Sequence, residues 1–403
     1  MTEQLTREPT RLTGGILATL GLLAILGPLG TDIFLPALPA IADDFGETAA
    51  AAQLSLTGFT FGMAFGQLVA GPLSDAVGRR RPLIVGAGAM ALASAAAAAA
   101  PNLALLVTAC VITGVACAFG LVIGRGVVPD LAHGPQIVRS FSLLGGMLSI
   151  GPVIGPLAGV ALMAIGGWRA TFAGLAVLAA TACIIVTIVI PETHPAERRI
   201  RMHLGALSDI AAQAFRSRHF RAGALVGWFS FIAMFAYIAS SPFVIQDVLG
   251  FTPLGYSIVF GVNGCALIVT SLLAGRLANR LGERGAMAVG LAMQTLGAIL
   301  IGLAVVTGSL TVWLMLPGML LVASSMGFII GPSIAESIKE LRHATGTASA
   351  LLGAVQWLLA GIAAPLVSAA GRLAVWPLAV MVLGGAAFAW LSLALTRPRG
   401  ERA

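Results

Sequence analysis

The chain has 403 residues, of which 58% are hydrophobic and only 10% are charged. A soluble globular domain has about 25% charged residues, so the composition excludes that class. The net charge is +7, from 23 Lys and Arg against 16 Asp and Glu. Because the cations lie between long uncharged runs, we interpret the basic character as a sign of membrane orientation and not of nucleic-acid binding.

Long intervals without Asp, Glu, Lys or Arg follow one another along the chain. A helix needs about 20 apolar residues to cross a bilayer, and intervals of that order are 14–31, 48–74, 82–124, 140–168, 170–191, 222–246, 248–275, 285–335, 344–371 and 373–396. Two of them, 82–124 and 285–335, are long enough for two spans each, with turns predicted at Pro101-Asn102 and Thr307-Gly308-Ser309. The sequence therefore predicts an all-α polytopic membrane protein with twelve transmembrane helices.

The cations indicate an orientation. When the twelve helices alternate in direction, 20 cations fall on one side and only Arg169 and Arg372 on the other, with Arg125 at a helix end. Since cations are retained on the cytoplasmic side during insertion, we expect both termini to be cytoplasmic. The four cysteines lie within predicted spans and lack the spacing of metal ligands, so no metal or cofactor is expected.

A loop motif occurs twice. The run that starts at Gly71 after helix 2, GPLSDAVGRRR, returns after helix 8 as GRLANRLGERG from Gly275, with an offset of 204 residues and Asn279 in place of Asp75. Such a repeat predicts two six-helix bundles, residues 1–191 and 222–403, joined by a cytoplasmic linker, 192–221. Parallel repeats of this kind characterise a large class of transporters.

The first copy resembles the motif Gly-x-Leu-x-Asp-x-x-Gly-Arg-Arg of the major facilitator superfamily. The run Gly151-Pro-Val-Ile-Gly-Pro resembles the helix 5 motif of its drug-exporting branch, and the segments that begin at Asp32 (DIFLPALP), Gly167 (GWR), Pro191 (PET), Phe235 (FAYIASSPF) and Gly346 (GTASALLG) look like the Bcr/CflA bicyclomycin/chloramphenicol-resistance subfamily.

This resemblance covers all twelve spans. It implies a drug:proton antiporter of the bacterial cytoplasmic membrane. The chain departs from the branch at helix 4, where the Arg of Arg-x-x-x-Gly would fall at Cys110, ahead of Gly114. No role of that arginine is therefore carried over.

Asp32 is the one acidic residue well inside a predicted span, about four-fifths of the way along helix 1. A carboxylate at membrane depth costs roughly 2.5–3.5 kcal/mol and seldom occurs without a function or a partner. Two interpretations remain open. The residue either carries a proton from outside to inside, or is an interfacial carboxylate that caps the backbone before Pro36.

Charged residues and glycines at predicted cytoplasmic helix ends form a candidate gate. Glycine permits a tight turn, and a carboxylate is stabilised near a helix N-terminus. The candidate gate residues are Gly71, Asp75, Gly78, Arg79, Arg80, Arg125, Asp130 and, in the second half, Glu336. We expect this gate to latch the outward-facing state; simple positive-inside anchoring would explain the arginines but not the acids.

Gly151, Gly155 and Gly159 recur every four residues and so form one smooth helix face that allows close backbone approach. Pro152 and Pro156 predict a kink in the same helix. The stripe either packs helices together or, as the family resemblance implies, seals the central cavity against proton leakage.

Polar and aromatic side chains within spans usually face a bundle interior. The candidate cavity residues are Phe34, Gln53, Thr57, Thr113, Met147, Met234, Tyr237, Asn263, Gln294, Gln356 and Trp357. An apolar cavity with a few amides suits neutral or weakly charged amphiphilic molecules.

The leading hypothesis is a proton-coupled exporter of small lipophilic antibiotics. We expect a monomer in the bilayer that works by alternating access, with protons and the substrate as its partners and no nucleic acid. The alternative is export of an endogenous metabolite, such as a sugar, an amino acid or a self-made antibiotic. An enzyme would need a clustered catalytic set, whereas all five histidines fall in predicted cytoplasmic segments; a channel would need a selectivity filter or a ring of charges.

Overall fold

The computed structural model describes residues 12–132, 135–195, 197, 199, 212–340 and 345–396, and these ranges contain helices and no β-strand. Within them, ten helices are long and apolar enough to cross a membrane. Two of the ten reverse direction, because the backbone leaves helical dihedral angles at Gly166 and Gly167 in one and at Gly282 in the other. Each of these two supplies two spans, so the all-α fold with twelve spans is confirmed.

We number the spans in chain order. The first bundle consists of α1 (Gly14–Asp32), α2 (Ala49–Val77), α3 (Arg80–Ala98), α4 (Leu103–Leu131), and the continuous helix Pro135–Val189 divided into α5 (135–165) and α6 (168–189). The second consists of α7 (Arg218–Phe243), the continuous helix Pro253–Val306 divided into α8 (253–281) and α9 (283–306), α10 (Val312–Ile338), α11 (Thr345–Ser368) and α12 (Trp376–Leu395). A 3-10 turn, Leu35–Ala37, and a short helix, Leu38–Phe45, follow α1.

Helix starts follow local sequence signals. Thr48, Asn102, Ser217 and Thr252 each accept a hydrogen bond from the backbone N–H three residues further on, through a side-chain oxygen, which satisfies a donor that the first turn leaves unpaired. The turns predicted at 101–102 and 307–309 are confirmed, since α3 and α4 and then α9 and α10 meet there. The predicted linker, 192–221, extends too far towards the C-terminus, because α7 already starts at Arg218. Residues 196, 198 and 200–211 of that linker, and both termini, lie outside the described ranges.

The two copies of the loop motif have similar backbone dihedral angles at their second glycine. Gly78 has φ 98° and ψ 166°, and Gly282 has φ 72° and ψ 170°, a region that residues with a Cβ rarely adopt. Arg80 then donates to the carbonyl oxygen of Thr187 in α6 at 2.7 Å, and Arg284 donates to that of Thr396, directly after α12, at 3.1 Å. In each bundle the loop after the second helix is therefore tied to the end of the sixth.

The bundles meet along two seams, α2 with α11 and α5 with α8. We call the end that carries Arg169 and Arg372 the predicted outer end, and the end that carries Gly78 and Gly282 the predicted inner end. The hydrogen bonds between the bundles join Gln53 to Ala239, Thr57 to Gly361, Gln246 to Pro36, Ser257 to Pro156 and Arg372 to Asp43. All of them lie in the half nearer the predicted outer end, so the structure is closed there. No ion pair or hydrogen bond between described residues joins the bundles at the predicted inner end.

Candidate functional site

Asp32 is the last residue of α1, so it lies further towards the predicted outer end than the sequence suggested. Its side chain is nevertheless buried, with the residue only 5% exposed. The carboxylate accepts a hydrogen bond from the hydroxyl of Thr31 at 3.1 Å, and no cation pairs with it among the described residues. It accepts no backbone N–H there either, which leaves the capping interpretation without a supporting contact.

The glycine stripe of α5 packs directly against this part of α1. A Cβ on Gly155 would lie 2.8 Å from the Cβ of Asp32, while Gly151 faces Pro28 and Gly159 faces the carbonyl oxygen of Ile33. The absence of side chains at these three positions is what allows the two backbones to approach. Asp32 is thus covered by the backbone of α5.

The prolines of the same motif lie in a part of α5 that contacts the second bundle. The backbone stays helical through Pro152 and Pro156, so neither proline breaks the helix. The carbonyl oxygen of Pro156 accepts a hydrogen bond from the hydroxyl of Ser257 in α8 at 3.0 Å. Consequently α5 lies between Asp32 on one side and the second bundle on the other.

A polar cluster of the second bundle lies on the far side of α5. The amide of Asn263 donates to the hydroxyl of Tyr237 at 2.7 Å, and the hydroxyls of Ser241 and Tyr256 are 3.4 Å apart. The ring of Phe260 packs against both tyrosines, with centroid distances of 6.0 and 5.7 Å.

We call Asp32, Tyr237, Ser241, Tyr256 and Asn263 the interface cluster. Asp32 and both tyrosines are buried, with residue exposures of 5%, 1% and 0%. The only acid of α1 and the only two tyrosines of the chain therefore lie on opposite faces of α5. Ser241 and Tyr256 were not predicted, although the rarity of tyrosine was a usable signal.

Three further predicted cavity residues lie where helices meet. Gln53 donates to the carbonyl oxygen of Ala239 at 2.7 Å and Thr57 to that of Gly361 at 3.1 Å, both across the bundle interface. The Oε1 atom of Gln53 is buried without a partner. Met147 of α5 faces Gly21 of α1.

The remaining predicted cavity residues lie within single bundles. Phe34 is fully buried against Phe172, and Gln294 is fully buried and donates to the carbonyl oxygen of Ser230. Thr113 bonds within its own helix, Trp357 packs with Phe231 and Phe235, and Met234 and Gln356 are partly buried. Phe34 and Gln294 are therefore enclosed by neighbouring helices in this conformation.

The candidate gate of the first bundle is centred on Arg79. Its guanidinium donates to Asp75 at 2.5 Å, to Asp130 at 3.2 Å and to the hydroxyl of Ser74 at 2.5 Å. Glu192 accepts from the backbone N–H groups of Arg79 and Arg80 at 2.8 and 3.4 Å, which caps the start of α3. Ser74 and Glu192 were not among the predicted gate residues; Glu192 belongs to the Pro-Glu-Thr segment.

The second bundle has a matching cluster around Glu336. This carboxylate is 1% exposed and contacts Lys339 at 2.5 Å, His219 at 2.9 Å and Arg284 at 3.9 Å. Burial alone would lower the pKa of Lys339, but its hydrogen bonds with Glu336 and Glu283 outweigh that effect, and the pKa is raised. Sequence reasoning found the acid but not its partners, which come from three different helix ends.

Arg125 does not join either cluster. Its side chain is exposed and forms no ion pair or hydrogen bond in the part of the chain that the structure describes. The expectation that it belongs to the Arg79 network is corrected, because Asp75 and Asp130 both point to Arg79. The Arg79 cluster lies entirely within the first bundle and the Glu336 cluster entirely within the second. In this conformation neither cluster therefore holds one bundle to the other.

Comparisons with known proteins agree with this architecture. The profile of the Major Facilitator Superfamily matches residues 20–365. Among solved structures, a D-xylose-proton symporter superposes with a TM-score of 0.71 at 16% identity, covering 93% of this chain and 97% of the other. The human organic anion transporter MFSD10 gives 0.69 at 18% identity, over 95% and 99%. At these identities the likeness concerns the fold alone.

Sequence relatives cover almost the whole chain. An "Uncharacterized MFS-type transporter YdgK" of Bacillus subtilis is 33% identical over 92% of this chain and 93% of its own length. A "Chloramphenicol resistance protein" of Pseudomonas aeruginosa is 28% identical over 94% and 90%, and a "Bicyclomycin resistance protein homolog" of Haemophilus influenzae is 25% identical over 87% and 88%. These matches confirm a transporter, not an enzyme, and the chain belongs to the major facilitator superfamily.

Proposed function

We propose that this protein exports small lipophilic, antibiotic-like molecules in exchange for protons, as a member of the Bcr/CflA subfamily in the bacterial cytoplasmic membrane. The observation that carries the proposal is Asp32, a buried carboxylate without a cationic partner in the described part of the chain, placed where α1, α5 and the second bundle meet. Relatives named for chloramphenicol and bicyclomycin resistance support the substrate class.

Proton coupling follows from the cost of burying charge. A carboxylate at membrane depth costs roughly 2.5–3.5 kcal/mol, so a closed interface around Asp32 favours its neutral form. Loss of the proton penalises that closed arrangement and favours one in which water reaches the site. The protonation state of one residue thereby biases the equilibrium between two conformations, as alternating access requires.

The available driving force is sufficient. One proton moving inward yields about 2.3 kcal/mol per 100 mV, which corresponds to roughly a 50-fold concentration ratio of an uncharged substrate. The neutral polar groups of the interface cluster, two tyrosine hydroxyls and the amide of Asn263, suit hydrogen-bonding molecules without a charge.

An apolar pocket supports the lipophilic character of the substrate. It has a volume of about 470 Å³ and lies between α2, α4 and α11, beside the seam that joins the bundles, with Phe61, Phe65 and Leu358 exposed at its walls. An apolar lining of this kind suits hydrocarbon and not ions.

The test is transport into inverted membrane vesicles, with chloramphenicol and a panel of other drugs. We expect the native protein to accumulate at least one drug only when a proton gradient is present. Asp32→Asn should abolish accumulation against a gradient while insertion and yield stay normal, because Asn keeps the shape of Asp but exchanges no proton. Asp44→Asn, which neutralises a partly exposed acid beyond α1, is the control and should retain accumulation.

Accumulation by Asp32→Asn equal to that of the native protein would remove Asp32 from the mechanism. Proton-driven transport of sugars or amino acids, with no drug transported, would establish the alternative of a metabolite exporter.

A further inference from the structure

Arg372 holds two acids that belong to opposite bundles. It lies between α11 and α12 and binds Asp247, just beyond α7, through Nε at 2.6 Å and Nη2 at 3.0 Å. Its third nitrogen, Nη1, donates to Asp43 in the short helix Leu38–Phe45 of the first bundle at 2.6 Å. These bonds, first with Asp247 and then with Asp43, raise the pKa of Arg372. The pair between Arg372 and Asp43 is the one ion pair between described residues that crosses from one bundle to the other.

The two acids have different parts in this arrangement. Asp247 is mostly buried and holds the guanidinium in two-point geometry within the second bundle, and such paired bonds fix the plane of an arginine. Asp43 is 65% exposed and supplies the bond across the interface. The side chain of Arg372 is thus held in place by Asp247 of its own bundle, and it binds Asp43 of the other bundle.

The bond between Arg372 and Asp43 is one of several contacts between the bundles at the predicted outer end. Next to Asp247, Gln246 donates to the carbonyl oxygen of Pro36 at 3.3 Å, four residues beyond Asp32. Deeper in the interface, Gln53 bonds to Ala239. Separation of the bundles at this end breaks the bond between Arg372 and Asp43.

We propose that Arg372, Asp43 and Asp247 form the outer gate, a positioning device that controls the access of Asp32 to the outside. It rests on the proposed function only in that Asp32 is the proton site. With Arg372 the gate attracts the bundles; without it, two carboxylates face each other and repel. Because one bond of the gate is solvent-exposed, breaking it should change the open population by about two- to fivefold and not abolish closure.

Asp44, the residue next to Asp43, offers a matched control. Asp44 also pairs with an arginine at the predicted outer end, Arg169 at 2.7 Å, and accepts from the indole of Trp168 at 3.0 Å, but all three belong to the first bundle. Asp43→Asn and Asp44→Asn therefore remove the same charge from adjacent positions. Only the first weakens a contact between bundles.

The experiment measures access to the interface from outside. Cys110, Cys117, Cys183 and Cys265 are replaced by Ala, and Thr57, which is 8% exposed and bonds across the interface, is replaced by Cys. A membrane-impermeant maleimide is then added to intact cells. We expect Asp43→Asn to raise the labelling rate about two- to fivefold, and Asp44→Asn to leave it unchanged.

Exchange of the charges separates a gate from a general loosening of the fold. Asp43→Arg alone places two cations together and should raise labelling further, whereas Asp43→Arg with Arg372→Asp restores opposite charges across the interface and should bring it back towards the parental rate. Equal labelling of Asp43→Asn and its parent, equal effects of Asp43→Asn and Asp44→Asn, or no recovery in the exchanged pair would each overturn the proposal. Labelling needs neither a drug nor a proton gradient, so failure of Asp32 as proton site would leave this result standing.

Discussion

The contact between the glycine stripe of α5 and α1 makes a quantitative prediction for Gly155→Ala. The added Cβ would lie 2.8 Å from the Cβ of Asp32, whereas carbon atoms pack at about 3.5–4.0 Å. The two helices must therefore move apart by roughly 1 Å. Insertion of a methyl group into a well-packed contact costs about 1–3 kcal/mol, while replacing a helical glycine by alanine returns about 0.5–1 kcal/mol. We expect a net loss of stability of up to about 2.5 kcal/mol.

The same helix contains a control for the intrinsic preference. A Cβ on Gly146 would meet nothing within 4 Å, so Gly146→Ala should stabilise the protein by about 0.5–1 kcal/mol. The difference between the two variants isolates the packing cost. Thermal unfolding in detergent, followed by tryptophan fluorescence, should place Gly155→Ala several degrees below Gly146→Ala. Melting of Gly155→Ala at or above the control would refute the reasoning.

A second assay on these variants decides between the two interpretations of the stripe. In liposomes with a pH gradient and no substrate, a stripe that seals the interface predicts a faster collapse of the gradient for Gly155→Ala than for Gly146→Ala. A stripe that only packs helices predicts equal rates, despite the lower melting temperature.

Three further outcomes follow from the predicted inner end. Glu336→Gln should destabilise the protein by about 1–3 kcal/mol because the basic side chains around this buried position lose their carboxylate partner, whereas Glu340→Gln, at a half-exposed acid, should change the melting temperature little. Since the pKa of Lys339 is raised in the folded protein, its ion pairs stabilise the fold at neutral pH and lose their effect only at alkaline pH; the drop in melting temperature there should be smaller in Lys339→Met. Gly282→Ala should cost about 1–3 kcal/mol because φ is 72° and ψ is 170°, a region essentially restricted to glycine, while Gly275→Ala, in open space, should not lower stability.

The candidate site divides sharply into what local patterns predict and what they do not. Asp75 in the last turn of α2 and Arg79 just before α3 are four residues apart, and the motif places them together. Glu192, by contrast, accepts a hydrogen bond from the N–H of Arg79, 113 residues away. No local pattern in either segment predicts this contact. Arg125 shows the converse error, because a cation near acids in sequence does not meet them when another arginine occupies their oxygens.

The sequence by itself determined the twelve spans, their turns and the duplicated loop. These depend on the cost of placing charged groups in hydrocarbon and on the backbone freedom of glycine, and both act over a few residues. Only the tertiary structure decided that Asp32 lies against Gly155, and that Arg372 meets Asp43 across 329 residues of chain. Such contacts depend on how the two bundles face each other, and in a membrane any apolar helix face packs about as well against lipid as against protein.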